Sequence, residues 1–68
     1  MPKKIRELEA SLKKAGFVCI PGKGSHRKWW HSTGALAVMS GKPGNDARRY
    51  QEREVADAIR DAQEKSKH

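Results

Sequence analysis

The sequence predicts a small α+β domain in which two helices cover one face of a three-stranded antiparallel sheet. Apolar residues recur at helical spacing near both ends of the chain, and β-branched and aromatic residues fill its middle. The connections between the middle segments are short, which favours antiparallel pairing because parallel strands need a long crossover. The 68 residues allow one domain, spanning 1–68, in which residues 65–68 form a frayed tail.

The first element is a helix predicted over residues 3–15. One of its faces is apolar and consists of Ile5, Leu8, Leu12 and Ala15. Residues at this spacing share one side of a helix and face a core. Gly16 follows directly and is suited to the left-handed conformation that ends many helices. The sequence therefore predicts both the end of this helix and its buried side.

Three short strands are predicted to follow, over residues 17–20, 25–31 and 35–39. Pro21 and the glycines after it end the first strand. The second and third strands are separated by Ser32-Thr33-Gly34, a sequence typical of a hairpin turn. These short connections predict an antiparallel meander.

The second strand decides which side chains face away from the helices, because successive residues alternate between the two faces of a sheet. One face carries Ser25, Arg27, Trp29 and His31, and the other carries His26, Lys28 and Trp30. If Trp29 enters the core, the second set faces outward together. The sequence thus predicts an open sheet face that presents a histidine, a lysine and a tryptophan.

After the strands, residues 40–49 are predicted to form a loop, since they contain glycines and a proline and show no apolar period. The sequence does not decide between an ordered functional loop and a flexible one. A second helix is predicted from about Tyr50, and its apolar face consists of Val55, Ala58, Ile59 and Ala62. The expected core comprises Leu8, Leu12, Phe17, Trp29, Val55 and Ile59.

The chain is strongly basic, and its charge is unevenly distributed. Lys and Arg number 15 against 8 Asp and Glu, a formal net charge of +7. Residues 1–49 hold eleven basic and three acidic side chains, whereas residues 50–68 hold four basic and five acidic ones. This polarity favours a nucleic-acid partner, whose phosphates release counterions when neutralised, over a cationic surface that only aids solubility.

Composition also argues against several other classes of protein. No apolar run is long enough to span a bilayer, and neither helix pairs a wide apolar face with a uniformly basic one, which disfavours a membrane surface. Cys19 is the single cysteine, so no disulfide forms within the chain and a reducing cytoplasm is expected. Cys19, His26 and His31 lack the paired spacing of a zinc site. We expect neither a metal nor a cofactor.

The sequence Gly24-Ser25-His26 carries the most chemical information. Glycine permits close approach of the backbone, serine supplies a hydroxyl, and histidine exchanges protons near neutral pH. RNA contains its own nucleophile, the 2′-hydroxyl, so its cleavage requires proton transfer and charge stabilisation but no metal. His26 is therefore a candidate acid or base, and Lys28 on the same face is placed to stabilise charge on the phosphate. From the residues alone, an ordinary surface histidine is the open alternative.

At these residues the sequence resembles a known family. Residues 14–18 (Lys-Ala-Gly-Phe-Val), followed by 23–29 (Lys-Gly-Ser-His-Arg-Lys-Trp), are similar to the HicA family of bacterial toxins. In that family a helix ends in Ala-Gly and an aromatic residue, and Gly-Ser-His follows the next strand. The match covers about residues 3–39. The resemblance implies a double-stranded-RNA-binding-domain-like fold of order α-β-β-β-α. It also implies a metal-independent mRNA interferase, an endoribonuclease with a single catalytic histidine, here His26.

The resemblance also implies partners, and the chemistry of the neighbouring residues suggests further members of the site. The expected substrate is mRNA. A HicB-like antitoxin of a type II toxin–antitoxin system is expected to cover His26, and several toxin and antitoxin chains can join in a larger assembly. The residues expected to bind RNA or support its transition state are Gly24, Ser25, Arg27, Lys28 and Trp30. The chain departs from the family pattern at Met39-Ser40-Gly41, where many relatives have a proline and a nearby histidine, so contacts from the following loop cannot be transferred.

The assignments of four other residues rest on the residues themselves. Trp30 is suited either to stacking on an unpaired base or to packing against an antitoxin. His31 alternates toward the core and is expected to be structural. Arg48 and Arg49 either bind phosphate or begin the solvated surface of the second helix.

Two alternatives to a nuclease use the same residues differently. A non-catalytic RNA- or DNA-binding module of the same fold would not need His26, and a pure interaction protein with an acidic partner would need neither His26 nor Trp30. The second helix begins Tyr50-Gln51-Glu52-Arg53-Glu54. Its two glutamates repel phosphate, which counts against a binder of duplex RNA.

Overall fold

The computed structural model describes residues 3–66, and these form a two-layer α+β fold. The elements in chain order are α1 (Ile5–Lys14), β1 (Val18–Pro21), β2 (Arg27–Trp30), β3 (Leu36–Met39) and α2 (Arg49–Lys65). The three strands form one antiparallel sheet in the order β1-β2-β3. The predicted fold class is confirmed, and the topology is consistent with a double-stranded-RNA-binding domain. Of the predicted tail, Lys65 belongs to α2 and residues 67–68 lie outside the described residues.

The core lies between the two helices and one face of the sheet. Five of the predicted core residues are buried there, namely Leu8, Leu12, Phe17, Trp29 and Val55. Ile59 is only half-buried, because it lines an open groove between α1 and α2 and packs against the edge of the core. Small residues complete the packing, and they are Ala35, Ala37, Ala47, Ala58 and Ala62. Alanine at these sites lets the helices approach the sheet closely.

The end of α1 is set by the chain reversal at Gly16, which has φ +97°. Phe17 N–H donates to the Leu12 carbonyl oxygen at 3.0 Å, and Gly16 N–H donates to that of Lys13 at 3.1 Å. This is the bonding pattern of a Schellman motif, whose accompanying hydrophobic contact joins the buried Phe17 and Leu12. Phe17 thus belongs to the helix terminus, and β1 begins one residue later than the sequence predicts.

The second strand is shorter at both ends than the predicted 25–31. β2 begins at Arg27, and Ser25 and His26 lie in the turn before it. The reason is a hydrogen bond from Gly22 N–H to the His26 carbonyl oxygen at 3.0 Å, which closes the turn at that pair. At the far end, Gly34 N–H donates to the His31 carbonyl at 2.8 Å, and this confirms the predicted hairpin turn at 32–34.

The loop between β3 and α2 is ordered against the start of α1. Ile5 N–H donates to the Asn45 carbonyl oxygen and Arg6 N–H to that of Pro43, both at 2.9 Å. Lys4 and Asp46 also form an antiparallel bridge. The first N–H groups of a helix have no partner within the helix, so the loop supplies acceptors that α1 requires. The sequence left open whether this loop is ordered or flexible, and these hydrogen bonds show that it is ordered.

Candidate active site

The residues Gly24-Ser25-His26 form the turn between β1 and β2. His26 N–H donates to the Lys23 carbonyl oxygen at 3.2 Å, and Gly24 is the turn residue with positive φ, +62°. Glycine adopts a positive φ without the steric cost that a Cβ imposes, so it suits this position of the turn. A Cβ on Gly22 would lie 2.9 Å from the His26 carbonyl oxygen, so the chain also approaches itself closely here. The turn places Ser25 and His26 at an exposed tip of the sheet.

The direction of the side chains after the turn agrees with the predicted alternation. Trp29 is buried, with 8% of its surface exposed, whereas Trp30 is 43% exposed. Lys28 and His26 are exposed as well. His26, Lys28 and Trp30 therefore all reach solvent, and the helices cover none of them. Same-face residues of a strand repeat about every 7 Å, so a single ligand can contact neighbouring members of this set.

The outer face of the sheet, opposite the helices, is mostly apolar. One cross-strand row consists of Val18, Trp30 and Leu36, and the next consists of Ile20, Lys28 and Val38. All four aliphatic members are at least 40% exposed. Large exposed apolar patches mark interaction surfaces. We call these six residues the outer sheet face.

Arg27 points the other way, toward the helices. Its Nε and Nη2 atoms donate to the Glu9 carboxylate at 2.6 and 3.3 Å. Its Nη1 donates to the Ser25 carbonyl oxygen at 3.0 Å, and Nη2 also donates to that of Gly41 at 2.9 Å. Trp29 Nε1 donates to Glu9 as well, at 2.9 Å. The guanidinium thus ties α1, the turn and the loop after β3 together, and it is withdrawn from the outer sheet face.

His31 lies at the opposite end of β2 and is half-buried. Thr33 N–H donates to its Nδ1 at 3.1 Å, which makes that nitrogen an acceptor. The ring also packs against Phe17, with the two ring centroids 5.1 Å apart. These contacts give His31 a structural environment, as alternation along the strand predicts.

Basic side chains gather at the same end of the fold as the turn. Arg27 pairs with Met39 across β2 and β3, so the start of β2 lies beside the end of β3 and the loop after it. Gln51 Nε2 donates to the Ser40 carbonyl oxygen at 3.1 Å, which brings the start of α2 to the same place. The exposed basic residues at this end include Lys23, Lys42, Arg48 and Arg49. The N-terminus of α1 is hydrogen-bonded to the same loop through Ile5 and Arg6, so it lies at this end as well.

A family model matches the part of the chain that contains this histidine turn. Residues 5–63 match the model described as HicA toxin of bacterial toxin-antitoxin, which is well over half of the chain. The chain belongs to the HicA toxin family. No curated protein matches the sequence. HicA toxins pair with antitoxins, so this chain is the toxin component of a toxin–antitoxin system.

This HicA toxin shows neither a metal centre nor a membrane-spanning helix in the part of the chain that the structure describes. Across residues 3–66, no three side chains of His, Cys, Asp or Glu are grouped as metal ligands. Cys19 is exposed on β1 and lies on a different element from both histidines. Within the same residues, neither α1 nor α2 has the length and apolar character that crossing a bilayer requires.

The toxin also contains a buried carboxylate that sequence reasoning missed, Glu9. It is 9% exposed and lies on the apolar side of α1 among Ile5, Leu8 and Leu12. A signal was present, because Glu9 lies four residues after Ile5 and therefore on the same side of the helix, where a carboxylate requires a buried partner. The partners, Arg27 and Trp29, are two donors on the same face of β2, as alternation predicts.

Proposed function

We propose that this HicA toxin is a metal-independent endoribonuclease that cleaves mRNA, with His26 as its catalytic acid or base. The observation that carries the proposal is the position of His26, which is exposed on a turn at the basic end of the fold. HicA toxins are known as mRNA interferases, which supports RNA as the substrate class. The reducing cytoplasm, where mRNA lies, suits the unpaired Cys19.

In the proposed reaction the substrate supplies the nucleophile. The imidazole accepts the proton of an RNA 2′-hydroxyl, and the 2′ oxygen bonds to the adjacent phosphorus. The bond from phosphorus to the 5′ oxygen breaks, and that oxygen takes up a proton. The products are a 2′,3′-cyclic phosphate, which water opens to a 3′-phosphate, and a 5′-hydroxyl. No step requires a metal.

The neighbouring residues have separate roles in this proposal. Lys28, exposed two residues after His26, neutralises charge that develops on the phosphate. Gly24 and Ser25 shape the turn, and the Ser25 hydroxyl is placed to contact the substrate. Trp30 offers a flat surface on which an unpaired base stacks, worth about 1–3 kcal/mol where such stacking occurs. Arg27 supports the turn from inside through its bond to the Ser25 carbonyl.

The proposal is tested by cleavage of a single-stranded RNA in the presence of a chelator. We expect cleavage by the unaltered chain and a loss of about 10²–10⁴ in rate for His26→Ala, because one proton-transfer group is removed. The matched control is His31→Ala, which removes a histidine at the far end of β2 and should retain cleavage while the protein stays folded. Both variants are checked for folding by circular dichroism.

Three outcomes would contradict the proposal. They are full activity in His26→Ala, inhibition by the chelator, and products that carry a 3′-hydroxyl and a 5′-phosphate. RNA binding without any cleavage would instead support the alternative of a non-catalytic binding module. The first turn of α2 contains Glu52, so binding of duplex RNA is not favoured even then.

We also propose that a HicB-like antitoxin covers His26 by docking on the outer sheet face, within a complex that can form larger assemblies. Two features support this: the apolar rows around Trp30, and the exposed Lys28 and His26 that an acidic side chain of the antitoxin would neutralise. Burial of apolar surface depends little on salt, whereas contacts to phosphate depend on it strongly.

The antitoxin proposal predicts different salt responses for the two partners. Between about 50 and 200 mM salt, affinity for RNA should fall by orders of magnitude if several phosphates are neutralised, while affinity for the antitoxin changes far less. Leu36→Ser should weaken the antitoxin complex and leave RNA cleavage in place. An antitoxin that binds while His26 stays accessible to RNA would contradict the proposed mode of inhibition. Calorimetry and filter binding measure the two affinities.

A further inference from the structure

The carboxylate of Glu9 on α1 is buried, and the proposed reaction gives it no role. A buried carboxylate is unfavourable unless it is paired and hydrogen-bonded. Glu9 meets this condition with three donors, which are Nε and Nη2 of Arg27 and Nε1 of Trp29. The acid is therefore held in one arrangement, and it holds the Arg27 guanidinium in turn.

Arg27 extends this arrangement to the turn that carries His26. A guanidinium has five N–H donors in a fixed planar fork, so fixing one edge also fixes the direction of the others. The edge bound to Glu9 directs Nη1 at the Ser25 carbonyl oxygen, 3.0 Å away. Ser25 immediately precedes His26. The link from α1 to the turn thus ends one residue from the proposed catalytic group.

The turn needs such support because little else holds it. Residues 22–26 are all exposed, so core packing does not fix their position. Their own backbone contributes two hydrogen bonds, Gly22 N–H to the His26 carbonyl and His26 N–H to the Lys23 carbonyl. Among residues 3–66, Arg27 is the side chain that hydrogen-bonds the turn from inside the domain. Catalysis requires its groups within about 0.5 Å of the productive geometry, which a loosely held turn does not maintain.

We propose that Glu9 is a positioning residue that acts through Arg27 to hold the turn, and so His26, in the geometry that RNA cleavage requires. This inference rests on the proposed function, since it assigns a role toward the reaction at His26. It differs from a purely structural role in one respect. Breaking the link should lower the rate of the bound complex rather than only the stability of the fold.

The test compares two substitutions that each remove a hydrogen bond to Glu9. Arg27→Lys keeps the positive charge beside Glu9, but a single ammonium group cannot reproduce the planar fork that joins Glu9 to Ser25. Trp29→Phe removes the Nε1 bond and some core volume and leaves the Glu9–Arg27–Ser25 link in place. It therefore serves as the control for lost stability. Both variants, and Glu9→Gln, are assayed with saturating RNA in single-turnover conditions.

We expect Arg27→Lys and Glu9→Gln to lower the saturating cleavage rate by about ten- to a hundredfold, since small misplacements have effects of this size. The RNA concentration at half-saturation should change by less than about threefold, because the phosphate-binding cations remain. Trp29→Phe should lower the melting temperature yet keep the saturating rate. Adding Glu9→Gln to Arg27→Lys should cause no further loss of rate, because the two residues act as one unit.

An independent measurement records the turn without RNA. In ¹H–¹⁵N NMR spectra, Arg27→Lys and Glu9→Gln should shift and broaden the Ser25 and His26 amide signals, whereas Trp29→Phe should not. Unchanged rates and unchanged turn signals in folded Arg27→Lys protein would overturn the inference. So would an equal loss of rate in Trp29→Phe. If the unaltered chain fails to cleave RNA, the proposed function is wrong, and the NMR result alone decides whether Glu9 holds the turn.

Discussion

Gly24 and Gly34 offer a matched pair of substitutions that separates stability from activity. Each lies in a hairpin turn at one end of β2, with φ of +62° and +98°. At neither position would a Cβ meet another atom within 4 Å, so alanine would not clash at either. The effect of Gly→Ala is then a backbone effect alone. The two turns differ in that only the one containing Gly24 carries His26.

The magnitude follows from the conformations. An L-residue in the left-handed region costs about 1–2 kcal/mol, and the reduced freedom of the unfolded chain returns about 0.4–1 kcal/mol. The net loss of unfolding free energy should be about 1 kcal/mol in Gly24→Ala and in Gly34→Ala alike. In a domain of this size that corresponds to about 4–8 °C in melting temperature. A domain that starts near 3–5 kcal/mol still has roughly nine-tenths or more of its molecules folded.

Because the folded fractions stay similar, any difference in cleavage reports on the turn. We expect Gly34→Ala to cleave RNA normally and Gly24→Ala to be slower, since relief of strain at Gly24 would displace Ser25 and His26. Gly24→Asn should recover part of the activity, because asparagine tolerates positive φ better than alanine. Thermal unfolding by circular dichroism and single-turnover cleavage measure the two effects. Equal cleavage by both alanine variants would refute the claim that the geometry of this turn matters.

Two further predictions concern the core and the basic end. Met39 is fully buried. Met39→Ala should lower the free energy of unfolding by about 2–5 kcal/mol, which is most of the stability of so small a domain. Denaturant unfolding should therefore show a largely unfolded protein already in buffer. Arg48→Glu should weaken RNA binding similarly for all sequences. The slope of log affinity against log salt concentration should fall by about one or more, the change expected when one phosphate contact is lost. Filter binding at low and high salt measures this slope, and an unchanged slope would mean that Arg48 does not contact RNA.

Local patterns in the sequence were sufficient to predict most of the fold. The stripe of α1, the chain reversal at Gly16 and the turn at 32–34 depend on residues within a few positions of one another, and all three are present in the structure. The inward Trp29 and outward Trp30 follow from the two-residue period of a strand once one face is buried. His26 is exposed as predicted, but it lies in the turn beside the equally exposed Ser25, so its exposure follows from the turn and not from alternation along β2.

What the tertiary structure alone decided involves residues far apart in the chain. Glu9 and Arg27 are 18 positions apart, and no local period reveals that the guanidinium turns inward to that carboxylate. The loop after β3 was ambiguous in isolation, because its order depends on free N–H groups of α1 that only the folded chain brings to it. A residue's own preferences determine helices, strands and turns over short distances. Packing of the core determines which elements come into contact. Those contacts in turn determine which buried charges pair and which groups bind the free N–H groups at a helix end.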